Sequence, residues 1–245
     1  MTNKLTQLRI RKVEKVSWQP QAEIDVPVED RLVSFAFPEF GPAFYIEVGR
    51  QILQANLRLP TAGETAYFLD AVYNPDGELN NSPEFQRVRE LMRTRWLSVF
   101  NRNLWTDKGV YVFHDTKAVG RSQSLTIEEL ESKLQGAETF QGVKLNPEKR
   151  IAFAPKNTYK LGEHTPESLA QDGFVLASYF PKGAEKLARV STRFRNQPIT
   201  WGLDIQKNRE PFQRLSAVGD FDDRLDVAGS YFYGGYGNCA FGVKK

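Results

Sequence analysis

Residues 214–245 have the sequence RLSAVGDFDDRLDVAGSYFYGGYGNCAFGVKK, and this stretch decides the predicted fold. It contains none of the capping signals with which helices begin. Turn-forming residues at 219–223 and 234–237 divide it into three runs of strand-like composition, at 214–218, 224–233 and 238–243. The stretch therefore predicts a C-terminal antiparallel sheet.

Helices and strands are predicted to alternate along the rest of the chain. Four helices begin at a Ser or Thr cap, followed in each case by Glu or Pro within the first turn: Thr61, Ser82, Thr126 and Thr165. The predicted helices cover 61–73, 85–100, 126–134, the residues after 165, and 183–194. The predicted strands cover 4–18, 31–37, 43–48, 109–115, 174–180 and 198–205. Without a linker or a repeat, this order predicts one α+β domain over 1–245.

The bulk composition excludes several classes of protein. The 245 residues carry 33 basic and 30 acidic side chains, a net charge of +3, which is too balanced for a nucleic-acid-binding protein. A single cysteine, Cys239, permits neither an intrachain disulfide nor a multi-cysteine zinc site. The chain has no apolar stretch long enough for a signal peptide or a membrane span. We expect a cytoplasmic protein, or one carried to a surface within an assembly, of undetermined oligomeric state.

Catalytic and metal-binding motifs are sparse. The only histidines, His114 and His164, belong to no HExxH pair, and Gly234–Gly237 lacks the Lys of a phosphate-binding loop. Asp220, Asp222 and Asp223 do not have the spacing of an EF-hand. The sequence thus predicts no catalytic residue, no metal and no cofactor. An enzyme of unrecognised type stays a weaker alternative, with His114, Asp115 and His164 as its candidates. Trp18, Trp96 and Trp201 are predicted core residues.

One compositional feature of the C-terminal stretch is unusual. Residues 214–243 contain no Lys, Glu, Gln, Met or Trp, and the next gap of this kind, 65–77, is less than half as long. Strands are depleted in Glu and Lys, which explains part of the gap. These five amino acids are also the ones that no codon ending in a pyrimidine encodes. The gap therefore suggests a segment whose codons end in pyrimidines.

This segment resembles the variable region of the proteins that diversity-generating retroelements diversify by mutating adenines in AAY codons. Those regions mix Tyr, Asn, Ser, Phe, Gly, Asp, Ala and Cys near the C-terminus, as residues 230–239 (SYFYGGYGNC) do here. The sequence Leu57-Arg58-Leu59-Pro60-Thr61 with Glu64 is similar to the RLPT..E motif of the same fold. The resemblance implies a C-type-lectin-like fold, of the subset shared with formylglycine-generating enzymes. It also implies paired terminal strands, 8–16 beside 240–243.

The resemblance implies a non-catalytic display protein, since a lone Cys239 does not reproduce the cysteine chemistry of the enzymes with this fold. Tyr, Ser, Gly and Asn are also typical of adaptable paratopes. The expected partner is an unknown protein or cell-surface ligand. A structural component of a virus particle or cell envelope is the alternative. The predicted contact residues are Asp220, Phe221, Asp222, Asp223, Asp226, Ala228, Ser230, Tyr231, Phe232, Tyr233, Tyr236, Asn238 and Cys239.

Overall fold

The fold is given by a computed structural model, which describes residues 7–12, 22–115, 117, 125–146, 148, 150–232 and 234–245. Helices and strands are mixed along the chain, so the predicted α+β class is confirmed. The helices are α1 (Tyr45–Gln54), α2 (Ala62–Val72), α3 (Pro83–Thr94), α4 (Ile127–Lys133), α5 (Pro166–Gln171) and α6 (Gly173–Ser191). No helix within the described ranges is both long and apolar enough to cross a membrane.

The strands form a smaller and a larger sheet. They are β1 (Arg9–Lys12), β2 (Ala22–Val28), β3 (Arg31–Phe37), β4 (Phe40–Ala43), β5 (Trp96–Trp105), β6 (Gly109–His114), β7 (Glu138–Phe140), β8 (Val143–Leu145), β9 (Ile151–Pro155), β10 (Gly162–Glu163), β11 (Ile199–Trp201), β12 (Phe212–Asp220), β13 (Leu225–Tyr231) and β14 (Asn238–Ala240). The smaller sheet has the order β1-β2-β3. The larger has the order β10-β11-β13-β12-β5-β6-β9-β8-β7, with β14 between β4 and β5.

Four helices begin where their caps predict. The side chain of Thr61 accepts a hydrogen bond from the backbone N–H of Glu64 at 3.1 Å, and that of Ser82 accepts one from Phe85 at 3.2 Å. Thr126 and Thr165 cap α4 and α5 in the same way. Each of these side chains provides a partner for a backbone N–H that the helix itself leaves without one.

Two predicted strands are helical. Residues 174–180 lie in α6, which begins at the Asp172 cap ten residues before the predicted 183–194. The strand predicted at 43–48 is replaced by α1, which begins at Tyr45. The first half of α6 is buried, whereas α1 buries only one face, but both predicted strands are short apolar runs, and such a run has no periodicity that separates a strand from a helix.

The helix predicted over 85–100 ends early. Helix α3 stops at Thr94, Arg95 has an extended backbone, and Trp96 begins β5. Strand β5 pairs with β12 and β6 and lies in the middle of the larger sheet, so pairing with distant segments overrides the local helical pattern. Similarly, the strand predicted over 198–205 is limited to β11.

The predicted antiparallel pairing is confirmed for the first two C-terminal strands, β12 and β13, whereas the third, β14, pairs with β4 and, in parallel, with β5. The predicted pairing of 8–16 with 240–243 is wrong for the described residues 8–12. Of the strand predicted at 4–18, the structure describes 7–12, and β1 pairs with β2. The strand beside the C-terminus is β3: Ala36 N–H donates to Gly242 O at 2.8 Å, and Lys244 N–H donates to Ser34 O at 3.0 Å. The physical reason is burial, because Val243 is apolar and needs a buried neighbour, whereas β1 is mostly exposed.

The Arg58–Glu64 region ties this C-terminus to α2. Arg58 exchanges backbone hydrogen bonds with Val243 and donates two side-chain hydrogen bonds to Glu64, at 2.7 and 2.8 Å. Arg31 donates a third at 2.8 Å. Burial alone would raise the pKa of Glu64, but the hydrogen bonds from Arg58 and Thr61 and the charge of Arg31 hold it below its usual range. The carboxylate therefore stays ionised inside the protein.

Candidate ligand-binding surface

The structure buries five of the thirteen predicted contact residues, and Tyr233 lies outside the described residues. Their burial leaves these five side chains little surface to offer a ligand, so we assign them to the framework of the segment and not to its contacts. The five are Asp220, Asp226, Ala228, Asn238 and Cys239.

The buried polar residues of this group hold the segment in place. Asp226 accepts hydrogen bonds from Trp201 Nε1 at 2.7 Å and from the backbone N–H of Phe221 at 3.3 Å. Asn238 Oδ1 accepts from Ser98 Oγ at 3.2 Å, and its Nδ2 donates to Gly235 O at 2.6 Å. Both residues thus fix the turns on either side of β13.

Asp220 and Cys239 are also framework residues. Asp220 accepts a hydrogen bond from the Tyr73 hydroxyl at 3.4 Å and lies 3.6 Å from Arg93 Nε. Burial raises the pKa of the Asp220 carboxyl above its usual value. It also raises the pKa of the Cys239 thiol to about 11, so this thiol stays protonated near neutral pH. The chemistry of Cys239 is that of a small core residue.

The aromatic members of the set that are not buried lie at the ends of the C-terminal strands, where they form an aromatic surface. Phe232 and Tyr236 expose 64% and 66% of their area. Such exposure of two large rings in one short turn is unusual unless the rings have a partner. We define the aromatic surface as Phe44, Trp96, Phe212, Arg214, Phe221, Tyr231, Phe232 and Tyr236.

Ring contacts join the members of this surface in small groups. Trp96 packs between Phe221 and Tyr231, with ring centroids 4.7 and 5.6 Å apart. The Tyr236 ring meets Phe44 edge-on at 5.4 Å. A side-chain carbon at Gly235 would lie 2.7 Å from the Tyr231 ring, so only glycine fits beneath this ring. These contacts fix the half-buried rings and leave Phe232 and Tyr236 projecting.

A cation lies within the surface. The Arg214 guanidinium is 4.8 Å from the centre of the Phe212 ring and 5.1 Å from that of Phe232. Stacking of this kind orders the two rings and presents a positive charge between them. A partner would therefore meet apolar rings and a cation together, which is the residue chemistry of interface hot spots.

Sequence reasoning missed several members of the surface. Trp96 was expected in the core and is half-buried at the surface; Trp201, also expected in the core, is exposed. Phe212 and Arg214 are two residues apart on one strand and so share a face, a signal that was present in the sequence. Phe44 comes from a distant loop, and no local pattern marks it.

Asp222 and Asp223 form a separate acidic turn between β12 and β13. Both have a left-handed backbone, with φ of 53° and 56°. Asn196 holds the turn by donating to the backbone oxygens of both, at 2.7 and 3.0 Å. Among the described residues, no three His, Cys, Asp or Glu side chains cluster as metal ligands would. The turn is exposed, so its predicted contact role stays a prediction.

The candidates for an enzyme site do not converge. His114 is buried against Phe180 at 4.6 Å, whereas His164 Nε2 lies 2.9 Å from Lys160 O and 3.0 Å from Thr200 Oγ1. Asp115 accepts a hydrogen bond from the Tyr45 hydroxyl at 3.0 Å. Near His164, Ser168 Oγ is 3.3 Å and Asp172 Oδ2 is 3.9 Å away, and the second distance is too long for the hydrogen bond of a catalytic triad.

The fold and this surface define an α+β protein that presents aromatic rings from the ends of its C-terminal strands. Neither the protein-family models nor the curated protein sequences include a match to this chain. One solved structure is described by the words "Accommodation of massive sequence variation in Nanoarchaeota by the C-type lectin fold". Its alignment with this protein covers 89% of this chain and 99% of the chain in that structure. The two share 14% sequence identity and superimpose with a TM-score of 0.43.

Proposed function

We propose that this protein is a non-catalytic display protein with a C-type-lectin-like fold, which binds a protein or cell-surface ligand through the aromatic surface. One observation carries the proposal: Phe232 and Tyr236 project into solvent from the turn between β13 and β14, and Asn238 holds this turn through hydrogen bonds with Ser98 and Gly235, while Asp226 holds the turn at the other end of β13. The rings are thus held by a framework that does not depend on them.

The division between framework and exposed residues supports exchange of the exposed ones. Surface substitutions away from special contacts typically change stability by less than about 0.5 kcal/mol, whereas the loss of buried hydrogen bonds costs several times more. We therefore assign the variable contacts to the exposed and half-buried members of the segment, with Phe44, Trp96, Phe212 and Arg214 as a constant frame. The variable contacts are Phe221, Asp222, Asp223, Ser230, Tyr231, Phe232, Tyr236 and, as a prediction from the sequence, Tyr233.

The chemistry of the surface suits a protein partner. An aromatic ring supplies about 150–250 Å² of contact area at little cost in side-chain entropy. Small residues at 234–235 allow a partner backbone to approach closely. The Arg214 guanidinium adds a cation between two rings, which favours partner segments that combine apolar groups with a carboxylate.

Sequencing the host genome around this locus tests the proposal. We expect a reverse transcriptase gene nearby and a near-copy of the segment rich in AAY codons. Differences among sister cells should fall on exposed codons such as those of Phe232 and Tyr236, and spare Asp226. If the gene and the copy are both missing, diversification is excluded. If 220–239 changes no faster than the helices, the alternative of a structural component of a virus particle or envelope gains support.

A further inference from the structure

A cleft of about 700 Å³ lies away from the aromatic surface and shares none of its residues. It is formed by the β2–β3 turn, the start of α2, the end of β6, residues 138, 145, 146, 148 and 150, and the middle of α6. A volume of this size suits a small molecule. Its lining includes the polar or aromatic residues Tyr67, His114, Glu138, Tyr179 and Phe180.

A break in α6 shapes one wall of this cleft. Phe180 has φ 60° and ψ 164°, a conformation that is essentially restricted to glycine, and Pro181 follows it. Pro181 has no N–H to donate to the carbonyl of Ala177, four residues earlier. Instead, this carbonyl lies 3.3 Å from His114 Nε2. Non-glycine residues in such a conformation are typical of functional sites, because the surrounding structure has to impose it.

His114 presents an acceptor without a partner. A carbonyl only accepts, so the Nε2 atom beside Ala177 O carries the proton and Nδ1 does not. Burial lowers the pKa of His114 to about 4, although the hydrogen bond to Ala177 opposes this, so the ring is neutral near pH 7. Nδ1 is buried and has no hydrogen-bond partner within the described part of the chain. Buried polar atoms in this state call for an explanation.

Tyr179 adds a second such group. Its hydroxyl is buried and likewise lacks a partner among the residues that the structure describes. Burial raises the pKa of this phenol, so it remains protonated and able to donate. Two lining residues therefore carry complementary hydrogen-bonding groups without partners among the described residues, while the rings of Tyr67 and Phe180 supply apolar walls.

The charges of the lining disfavour a strongly anionic ligand, because the lining has four acidic and three basic side chains. Each basic lining residue already has an acidic partner in the same lining: Arg31 with Glu64 at 2.8 Å, Lys182 with Glu29 at 3.7 Å and Arg150 with Glu148 at 3.8 Å. Glu138 remains as a further acceptor. A ligand with hydrogen-bond donors meets acceptors here, whereas an anion meets more carboxylates than cations.

From these observations we infer that the cleft binds an uncharged small molecule with a flat apolar body and an N–H or O–H donor, which it directs to His114 Nδ1. Phe180 and Tyr67 contact the flat body. This site shares no residue with the aromatic surface. A negative binding result at the cleft would therefore leave the proposed function of the aromatic surface untouched, and the reverse holds as well.

Indole is a suitable probe, since it is flat and uncharged and has one N–H donor. We would titrate it into the full chain and follow backbone amide and histidine ring nitrogen resonances by NMR. The expected result is saturable binding in the millimolar range, with shifts at the cleft and at His114 Nδ1. The ring without the donor, 1-methylindole, should bind about three- to tenfold more weakly, the factor that one neutral hydrogen bond supplies.

The variant H114F, which keeps a ring but removes the acceptor, should bind both compounds with the affinity of 1-methylindole. The exposed Lys207 lies outside the lining, and K207A should bind like the unchanged protein. If H114F does not fold, the affinities of the wild-type protein for indole and 1-methylindole still test the inference. Equal affinities for the two compounds, or shifts confined to the aromatic surface, would overturn the inference.

Discussion

Asn238 provides a quantitative test of the framework beneath the aromatic surface. It is fully buried on β14, between β4 and β5. The substitution N238A removes the acceptor of the Ser98 hydroxyl and the donor to Gly235 O, at 3.2 and 2.6 Å. Ser98 is itself buried, so its hydroxyl is left without its partner and without access to water.

The magnitude follows from these two contacts. A buried hydroxyl that loses its partner costs about 1–3 kcal/mol, and the second hydrogen bond contributes about 0.5–1.5 kcal/mol. N238A should therefore lower the free energy of unfolding by about 2–4 kcal/mol. The matched exposed substitution, Y236A, removes one edge-on ring contact with Phe44 and should cost less than about 1 kcal/mol.

Urea denaturation followed by far-ultraviolet circular dichroism measures both values. The double variant S98A/N238A serves as the control, because removing both partners leaves no unsatisfied hydroxyl. It should be less destabilised than the sum of the single variants. Equal losses for N238A and Y236A would refute the separation of framework from exposed contacts.

Three further outcomes are expected. H114F should weaken the pH dependence of stability. As the pH falls from 6.5 to 4, the unfolded histidine takes up a proton that the folded one, with its pKa lowered to about 4 by burial, does not, so His114 contributes a loss of about 3 kcal/mol that H114F lacks. Acid titration of the two proteins measures this difference. F241A should lower the free energy of unfolding by about 3–5 kcal/mol in urea, because Phe241 is buried against Phe68 at 5.0 Å. R58A should cost about 3–5 kcal/mol in the same assay, because the buried Glu64 carboxylate loses two charged hydrogen bonds and keeps those from Arg31 and the Thr61 backbone, and R58A/E64Q should recover part of this loss.

Local signals in the sequence predicted part of the fold. Caps such as Thr61 and Ser82 act within one helical turn, so four residues suffice to recognise them. The segment 174–180 was wrongly predicted as a strand because α6 is buried on all sides there and shows no polar face. The strand that starts at Trp96 depends on pairing with β12, more than a hundred residues away, which no local window contains.

The candidate site was only partly predictable for a similar reason. The composition of the C-terminal segment indicated a binding surface there. Because side chains alternate between the two faces of a strand, Asp226 on β13 was predicted to lie on the outward face. Trp201 covers this face by hydrogen-bonding Asp226, although the two residues are 25 positions apart. The alternation of residues along a strand predicts to which face of the sheet a side chain points. Whether another part of the protein covers that face depends on tertiary contacts, which the strand sequence does not contain.

A saturation library with protease selection tests the central claim most directly. All amino acids would be introduced singly at two exposed positions, Phe232 and Tyr236, and at two buried ones, Asp226 and Asn238, and folded variants would be counted by sequencing. Our account predicts that most substitutions survive at the exposed pair and that few survive at the buried pair. Equal depletion at all four positions would show that the rings are part of the structural core, and would contradict a surface built for exchange.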